Sequence, residues 1–252
     1  SYTRIWRSNM RDLRSEILEN KMLADGIYRM TLETPKSEFT RPGQFAMIEV
    51  PEKFLRRPIS VSSYDSSRYT LIYKVVGEGT DIMSKMEPGD YVKGITGLGN
   101  GYDLDEIPDG AYLIGGGIGI PPMLGLLKSM VMSGKSCKVV LGYNSVDEMF
   151  MLEDFEQFSD DITVMTADGS YGQKGFVTDA FDKCEYACAC GPLPMLRALD
   201  HKVERGQFSL EARMGCGFGA CMGCSIRTTD GSQRVCKEGP VFDKEVLRWE
   251  SL

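Results

Sequence analysis

The sequence predicts a multidomain chain in which an antiparallel β-barrel is followed by an α/β domain with a parallel sheet and by a small cysteine-rich domain. Three observations predict this order. Short strand patterns separated by turns fill residues 13–98, strand and helix patterns alternate from residue 111, and four cysteines follow residue 215. We therefore place the domains at 1–106, 107–208 and 209–252.

The composition is typical of a soluble globular protein of two or three domains. Of the 252 residues, 42% are hydrophobic and 26% are charged, and no apolar run approaches the roughly 20 residues that span a bilayer. The net charge of -7 argues against nucleic acid binding, which depends on clustered Lys and Arg. The opening SYTRIWRSNM lacks the apolar core of a secretion signal, so the eight cysteines indicate the reducing cytoplasm. We expect a cytoplasmic protein that binds neither nucleic acid nor membrane.

The first hundred residues predict a small closed barrel. Prolines and Pro-Gly pairs separate short, partly alternating runs of polar and apolar residues. The six predicted strands are SEILENKML, GIYRMTLET, GQFAMIEV, PISVSS, RYTLIYKVV and YVKGI. Because such barrels bind ligands at the rim, the loops between these strands are the first place to look for a site.

A candidate anion site lies in two parts of this barrel. Arg57 can pair with a phosphate, Ser60 can donate a hydrogen bond, and a short predicted helix, TDIMSKM, begins with free N–H groups at Thr80. Taken alone, the pattern favours a surface arginine pair and an ordinary capped helix. A nucleotide site follows only if other residues call for a nucleotide cofactor.

From residue 111 the pattern predicts a parallel sheet. AYLIGGG is a buried strand that enters a glycine turn, and PPMLGLLKSMVMSG is a helix with proline near its start. CKVVLGY, DITVMTA and EYACAC are further strands, separated by helices such as MLRALDHKVERG. Ligands bind such sheets at the carboxyl ends of the strands.

The glycine turn is a candidate dinucleotide site. Its backbone amides could hold a pyrophosphate at the amino end of the next helix. Ile120 occupies the third glycine position of G-x-G-x-x-G, so the fingerprint is incomplete and a tight strand-to-helix turn is the alternative. The candidate glycines are Gly115, Gly116, Gly117 and Gly119.

Two carboxylates predict NAD rather than NADP. Residues 142–154 contain no Lys or Arg but include Asp147 and Glu148, which suit free ribose hydroxyls better than a 2'-phosphate. Cys190 and Gly191 end the EYACAC strand, where the thiol would face a nicotinamide. We expect Cys190 to pack and orient, because no basic neighbour would activate it.

We interpret the remaining cysteines and the histidine outside the C-terminal segment as structural residues without a role in binding or catalysis. Cys137, Cys184 and Cys188 are predicted to be buried thiols of the sheet. His201 lies on a polar face of the predicted helix and lacks the orienting partner that catalysis needs.

The C-terminal cysteines predict an iron-sulfur cluster. Cys216, Cys221, Cys224 and Cys236 have the spacing C-x4-C-x2-C-x11-C, which is the plant-type pattern for a [2Fe-2S] cluster. Structural zinc is one alternative, although only the second and third cysteines form a C-x2-C pair. A disulfide framework is another, although it belongs to small secreted domains.

The whole chain resembles the ferredoxin-NADP reductase superfamily and, within it, the family of dihydroorotate dehydrogenase B electron transfer subunits. The resemblance is carried by LRRPISVSS, GLGNGYD, LIGGGIGIPPM, ADGSYGQKG, CGPLPML, EARMGCGFGACMGC and VCKEGPVF. It implies that the barrel binds FAD, although Ile59 stands where superfamily members commonly have an aromatic residue. The implied FAD residues are Arg57, Pro58, Ile59, Ser60, Ile72, Tyr73, Lys74, Gly79 and Thr80.

The resemblance also implies a function. Electrons would pass from dihydroorotate to FMN on a separate catalytic subunit, then through the [2Fe-2S] cluster and FAD to NAD+, in pyrimidine biosynthesis. FAD would join a one-electron cluster to a two-electron nicotinamide. The implied assembly is a heterotetramer of two such chains and two catalytic subunits.

Two other functions remain open from the sequence. The chain could be the small flavin and iron-sulfur subunit of another NAD(P)H-linked reductase, such as a ferredoxin:NADP oxidoreductase or a hydrogenase. It could also be a zinc-bearing interaction module, which would be colourless.

Overall fold

The computed structural model describes residues 13–252, which form a barrel, a seven-stranded sheet and a two-stranded sheet. The segment SYTRIWRSNM, on which the expectation about secretion rests, lies outside the described residues. Within the described part, no helix is long and apolar enough to cross a membrane.

The predicted antiparallel barrel is confirmed. Its six strands are β1 (Leu13–Ala24), β2 (Ile27–Glu33), β3 (Phe45–Ile48), β4 (Arg57–Tyr64), β5 (Arg68–Lys74) and β6 (Tyr91–Leu98), with helix α1 (Glu78–Ser84) before the last. They close in the order β1-β2-β5-β4-β3-β6, because β1 pairs with both β2 and β6. Alternate side chains fill the interior, so that Met30, Leu32 and Leu71 have no exposed surface.

The predicted parallel sheet is also confirmed. Its strands lie in the order β10-β9-β8-β7-β11-β12-β15, and all neighbours are parallel except β12 and β15. The elements after the barrel are β7 (Ala111–Gly116), α2 (Ile120–Met132), β8 (Cys137–Tyr143), α3 (Leu152–Glu156), β9 (Ile162–Thr166), β10 (Gln173–Lys174), β11 (Cys184–Cys190), α4 (Leu193–Asp200), β12 (Val203–Ser209), β13 (Ser225–Thr228), β14 (Gly231–Arg234) and β15 (Val241–Asp243).

One predicted helix is too long. The segment MLRALDHKVERG is helical only as far as Asp200, and its last four residues, from Val203, belong to β12. The physical reason is long-range: Val203 and Phe208 are buried where β12 pairs with β11, and local propensity does not show that partner. The exposed His201 therefore caps α4 and does not lie on a helix face.

The helices expected between all strands of this sheet are only partly present. No α-helix lies between β9 and β11. In that stretch Gly169, Gly172 and Gly175 have φ of 79°, 62° and 130°, which are not helical dihedrals. The stretch instead contains the short strand β10 and one 3-10 turn, joined by irregular segments.

Close contacts fix the barrel against the sheet. A β-carbon at Gly125 of α2 would lie 2.7 Å from the carbonyl oxygen of Ser62 in β4, so the helix packs directly on that strand. The hydroxyl of buried Tyr102 donates to the carbonyl of Ala189 in β11 at 3.0 Å. These contacts bring the carboxyl edge of the sheet against the barrel, which is where the cavities described below lie.

Replacing Gly206 with alanine is expected to destabilise the sheet. A β-carbon there would lie 2.1 Å from the Ala187 carbonyl oxygen in the neighbouring strand, and both strands are held by their ladder. We expect a loss of about 1–3 kcal/mol in unfolding free energy, the usual range for overpacking. Thermal unfolding of the purified chain measures it.

The control for this experiment is Gly77→Ser. A β-carbon at Gly77 would meet no atom within 4 Å, and serine suits this N-cap position. Equal unfolding midpoints for Gly206→Ala and the wild type would contradict the prediction, because they would show that the two strands can shift to make room for the added methyl group.

Candidate functional site

The four C-terminal cysteines lie in two pairs. The thiol of Cys216 contacts that of Cys221, and the thiol of Cys236 contacts that of Cys224. The first three lie in the loop 215–224, and the fourth follows β14. All eight cysteines of the chain are free thiols, so the disulfide alternative is wrong.

The loop folds around these sulfur atoms with its amides turned inward. The N–H groups of Ala220 and Cys221 donate to Sγ of Cys216 at 3.2 and 3.4 Å. Gly217 and Gly219 have φ of 78° and 90°, a conformation that glycine adopts without strain. The tight loop therefore depends on glycine at these two positions.

Backbone donors favour the thiolate form of Cys216. Burial opposes ionisation, but hydrogen bonds from the N–H groups of Cys221, Phe218 and Ala220 lower the pKa of Cys216 to about 6. Burial and the neighbouring Cys224 thiol raise the pKa of Cys236 to about 12. A bound metal reverses that direction, because a coordinating thiol is deprotonated.

Two pairs of thiols suit a two-iron core. A [2Fe-2S] cluster takes two ligands on each iron, whereas structural zinc takes all four ligands in one tetrahedron.

Arg234 is a residue of this region that the sequence analysis missed. Its guanidinium donates to the carbonyl of Gly219 at 2.7 Å and pairs with Glu238. It thereby ties the cysteine loop to the turn that carries Cys236. A lone arginine outside any motif gives no sequence signal for this role.

The residues predicted for FAD line a cavity of about 330 Å³ between the barrel and the start of the cysteine segment. Eight of the nine line its wall: Arg57, Pro58, Ile59, Ser60, Ile72, Tyr73, Lys74 and Thr80. The aromatic residues of the lining are Phe45 and Tyr73, and both are buried, at 2% and 1% exposed.

Gly79, the ninth residue, lies behind this wall. A β-carbon there would lie 2.4 Å from Nε of Arg57, so the glycine allows the guanidinium to lie against α1. The hydroxyl of Thr80 is engaged within the turn, where it accepts from the N–H of Val76 at 2.9 Å and donates to the carbonyl of Gly77 at 3.0 Å. The helix begins at Glu78, two residues earlier than predicted.

The opposite wall of this cavity comes from the segment after β12. Leu210, Glu211, Ala212 and Met214 contribute to it, and burial raises the pKa of the Glu211 carboxyl. The sequence analysis named EARM only as part of the resemblance and gave none of these residues a role.

A second cavity, of about 430 Å³, lies at the carboxyl edge of the sheet. Of the residues predicted for NAD, Gly116, Gly117 and Glu148 line it. The remaining wall includes residues without a predicted role: Asn144, Phe150, Phe176, Val177, Thr178, Pro192 and Met195. Phe176, Val177 and Thr178 follow β10. Pro192 precedes α4 and Met195 belongs to it, so only the fold brings these residues together.

The other predicted glycines pack the turn and do not line the cavity. A β-carbon at Gly115 would lie 2.9 Å from Cα of Ile120, and one at Gly119 would lie 2.3 Å from the Cys190 carbonyl oxygen. At Gly191 it would lie 2.5 Å from Cε of Met195. Glycine at these three positions allows neighbouring chain segments to pack closely. This is the tight-turn role that the sequence analysis gave as the alternative to nucleotide binding.

The structure separates the two candidate carboxylates. Glu148 lines the cavity, and Asn144 donates to its Oε2 at 2.8 Å. Asp147 is exposed and is not among the lining residues.

Cys190 lies at the carboxyl end of β11, as predicted, but is only 4% exposed and lines neither cavity. Burial, together with nearby Glu211, raises its pKa to about 12. A neutral, buried thiol suits packing. The expectation that it faces a nicotinamide stays a prediction.

The cysteine loop and the two cavities adjoin one another. Lys74 and Ile118 line both cavities, so these share a wall. Met214 lines the first cavity and lies two residues before Cys216. A β-carbon at Gly217 would lie 2.4 Å from Cγ of Met47, which places the cysteine loop directly on β3 of the barrel.

Two protein family models match parts of the chain. Residues 211–248 match the iron-sulfur cluster binding domain of dihydroorotate dehydrogenase B, and residues 113–201 match the oxidoreductase NAD-binding domain.

Curated relatives match over most of the chain. The dihydroorotate dehydrogenase B (NAD(+)) electron transfer subunit of Lysinibacillus sphaericus is 37% identical, over 93% of this chain and 98% of the relative. The protein of the same name from Fusobacterium nucleatum is 40% identical, over 89% of this chain and 93% of the relative.

Solved structures share the architecture. A chain of the NADH-dependent reduced ferredoxin-NADP oxidoreductase aligns with a TM-score of 0.86 at 30% identity, covering 94% of this chain and 90% of that one. Phthalate dioxygenase reductase aligns with a TM-score of 0.64 at 19% identity, over 89% and 94%, which is a likeness of fold.

Proposed function

Because the chain belongs to the family of dihydroorotate dehydrogenase B electron transfer subunits, we propose that it carries electrons from an FMN-containing catalytic subunit to NAD+ in pyrimidine biosynthesis. It is an oxidoreductase subunit of the ferredoxin-NADP reductase type, with FAD, a [2Fe-2S] cluster and NAD as its cofactors. Electrons enter at the cluster and leave at the NAD site.

The observation that carries this proposal is the order of the three sites in space. The cysteine loop adjoins the FAD cavity through Met214, and the FAD cavity adjoins the NAD cavity through Lys74 and Ile118. When bound, the cluster exchanges single electrons, NAD exchanges a hydride, and FAD can do both. The chain places the FAD site between the other two, where a cofactor with both capacities is required.

The residues of the chain bind and orient these groups. Cys216, Cys221, Cys224 and Cys236 hold the cluster; the eight wall residues together with Gly79 form the FAD site; and Gly116, Gly117 and Glu148 form part of the NAD site. Gly115, Gly119 and Gly191 support the NAD turn through close packing. Hydride transfer needs no protein acid or base, so packing by Cys190 and the carboxylate of Glu148 serve position and selectivity.

The assembly and its surroundings are part of the same proposal. We propose that the chain forms a heterotetramer of two such chains and two catalytic subunits. We place this assembly in the cytoplasm. We divide the chain at 106/107 and 208/209, although β15 from the last segment pairs with β12 of the sheet.

The isolated chain is expected to oxidise NADH with artificial acceptors and to leave dihydroorotate unchanged. Residues 13–252 form no FMN barrel, and taking a proton from a dihydropyrimidine needs a positioned base on the catalytic subunit. Adding the FMN-bearing subunit should enable reduction of NAD+ by dihydroorotate, followed as NADH absorbance. Conversion of dihydroorotate to orotate by the isolated chain would contradict the proposal, and so would NAD+ reduction by a mixture whose chain lacks its cluster.

A second candidate follows from the likeness to the NADH-dependent reduced ferredoxin-NADP oxidoreductase. In that case the chain would serve a reductase that exchanges electrons with ferredoxin. Identification of the subunit that copurifies with the chain separates the two functions, because only one of them requires an FMN-containing dihydroorotate dehydrogenase.

A further inference from the structure

The guanidinium of Arg234 contacts both segments that carry the candidate cluster ligands. Its Nη1 donates to the carbonyl of Gly219 at 2.7 Å and lies 3.8 Å from Sδ of Met222, so it meets the cysteine loop at two points. Its Nε donates to Oε2 of Glu238 at 3.0 Å, in the turn that carries the fourth cysteine. One side chain therefore joins the loop to the turn.

The backbone fixes the place of this guanidinium. Arg234 is the last residue of β14 and pairs across the ladder with Ser225, which directly follows Cys224. The carbonyl of Arg234 accepts hydrogen bonds from the N–H groups of residues 237–239 at 2.9 to 3.3 Å. Arg234 is thus held between Cys224 and Cys236, the two buried cysteines of the site.

The positive charge of Arg234 lies beside this buried pair. Cys224 and Cys236 are 4% and 2% exposed, and they lie close enough to the guanidinium for their charges to act on it. The side chain of Arg234 is itself only 20% exposed. Because little water reaches these groups, their charges are screened less than charges on the open surface.

Such a charge affects how readily a cluster accepts an electron. Reduction of a [2Fe-2S] cluster adds one negative charge, and the potential depends on the charges and hydrogen bonds around the sulfur atoms. A neighbouring cation stabilises the reduced form and raises the potential, and a neighbouring carboxylate lowers it. Arg234 stays protonated throughout, because a guanidinium does not lose its proton in proteins.

We propose that Arg234 raises the reduction potential of the [2Fe-2S] cluster through its charge, and that Glu238 orients the guanidinium and partly offsets that charge. The inference goes beyond the proposed function, because it concerns the acceptance of an electron by the cluster, whichever subunit supplies that electron. Glu238 is 31% exposed and pairs with the guanidinium through both carboxylate oxygens.

Replacing Arg234 with methionine is expected to lower the potential of the cluster, because the long side chain is kept and its charge is lost. At a fixed ambient potential, the ratio of reduced to oxidised cluster should fall about threefold, which corresponds to about 28 mV for a one-electron couple. Arg234→Lys keeps the charge and should shift the potential less than Arg234→Met.

Glu238→Gln is expected to move the potential the other way. The variant removes the carboxylate and leaves the guanidinium without its counter-ion, so the ratio of reduced to oxidised cluster should rise by about threefold. A purely structural role predicts another result, because loosening the loop from either side would shift both variants in the same direction.

The experiment uses the purified full chain loaded with FAD and cluster. A redox titration without oxygen, followed by the electron paramagnetic resonance signal of the reduced cluster, gives the midpoint potential, and the potential of the bound FAD is an internal reference. Arg227→Met is the matched control, because Arg227 is an exposed residue of the same hairpin, three residues beyond Cys224. Its loss changes the net charge equally and should leave the potential of the cluster unchanged.

Two results would overturn the inference. One is an unchanged potential in Arg234→Met, and the other is a shift in the same direction in Arg234→Met and Glu238→Gln. If Arg234→Met does not retain iron, Glu238→Gln decides, because a potential equal to or below that of the wild type contradicts the proposal. Failure of the cluster assignment looks different, because the wild-type chain would then itself contain no iron and give no such signal.

Discussion

Replacing Cys224 with serine is expected to abolish the iron-sulfur cluster. Cys224 is 4% exposed and its thiol contacts that of Cys236, so the second cysteine pair would be broken inside the protein. Serine is a harder and poorer ligand for iron, and no other described His, Cys, Asp or Glu cluster lies nearby to replace it. Iron and sulfide analysis should fall from about two of each per chain to a small fraction, and the brown colour should give way to flavin yellow.

Two further variants sharpen this test. Cys221→Ser changes an exposed ligand and should weaken the cluster, with partial loss of iron. Cys137→Ala removes a buried thiol of the sheet and should leave the iron content unchanged. Full iron in Cys224→Ser, or zinc in place of iron in the wild type, would refute the assignment of the cluster.

Replacing Glu148 with arginine is expected to reverse the coenzyme preference. The wild type should reduce its FAD far faster with NADH than with NADPH, because Glu148 lines the cavity and repels a 2'-phosphate. Arginine at this position would attract the 2'-phosphate, and the carboxylate that accepts hydrogen bonds from the ribose hydroxyls would be lost. The ratio of kcat/KM for NADPH to that for NADH should rise by about a hundredfold, because a repulsion of the 2'-phosphate is removed and an ion pair with it is formed.

Asp147→Arg is the matched control, because this neighbouring carboxylate is exposed and does not line the cavity. Its coenzyme ratio should stay within about threefold of the wild type. A larger change for Asp147→Arg than for Glu148→Arg would show that Asp147, and not Glu148, sets the coenzyme preference. Equal efficiency of NADH and NADPH with the wild type would remove the basis of the prediction altogether.

The sequence predicted well those features that depend on neighbours along the chain. The six barrel strands and the helix after the glycine turn follow from alternation, turn residues and a proline at the helix start. The resemblance implies that Arg57 to Ser60 and Ile72 to Lys74 bind FAD, and the structure places these residues on the adjoining strands β4 and β5, where they line one cavity.

Prediction failed where a distant partner decides the conformation. KVERG was predicted as helix, although Val203 and Gly206 belong to a strand that needs β11 beside it. A local pattern does not show that a β-carbon at Gly206 would meet the Ala187 carbonyl. Likewise β15 joins the sheet antiparallel to β12 from a segment that the sequence assigns to the cysteine-rich domain.

The sequence by itself predicted the chemistry of the metal site and the order of the domains. The cysteine spacing predicts the cluster ligands, because three of the four candidate cysteines lie in one ten-residue loop, 215–224, and the fourth follows β14. Only the tertiary structure decided which carboxylate reaches the NAD cavity, that Cys190 is buried, and that Lys74 lies between two cavities. Those facts depend on how the barrel docks on the sheet, through contacts between residues far apart in the chain.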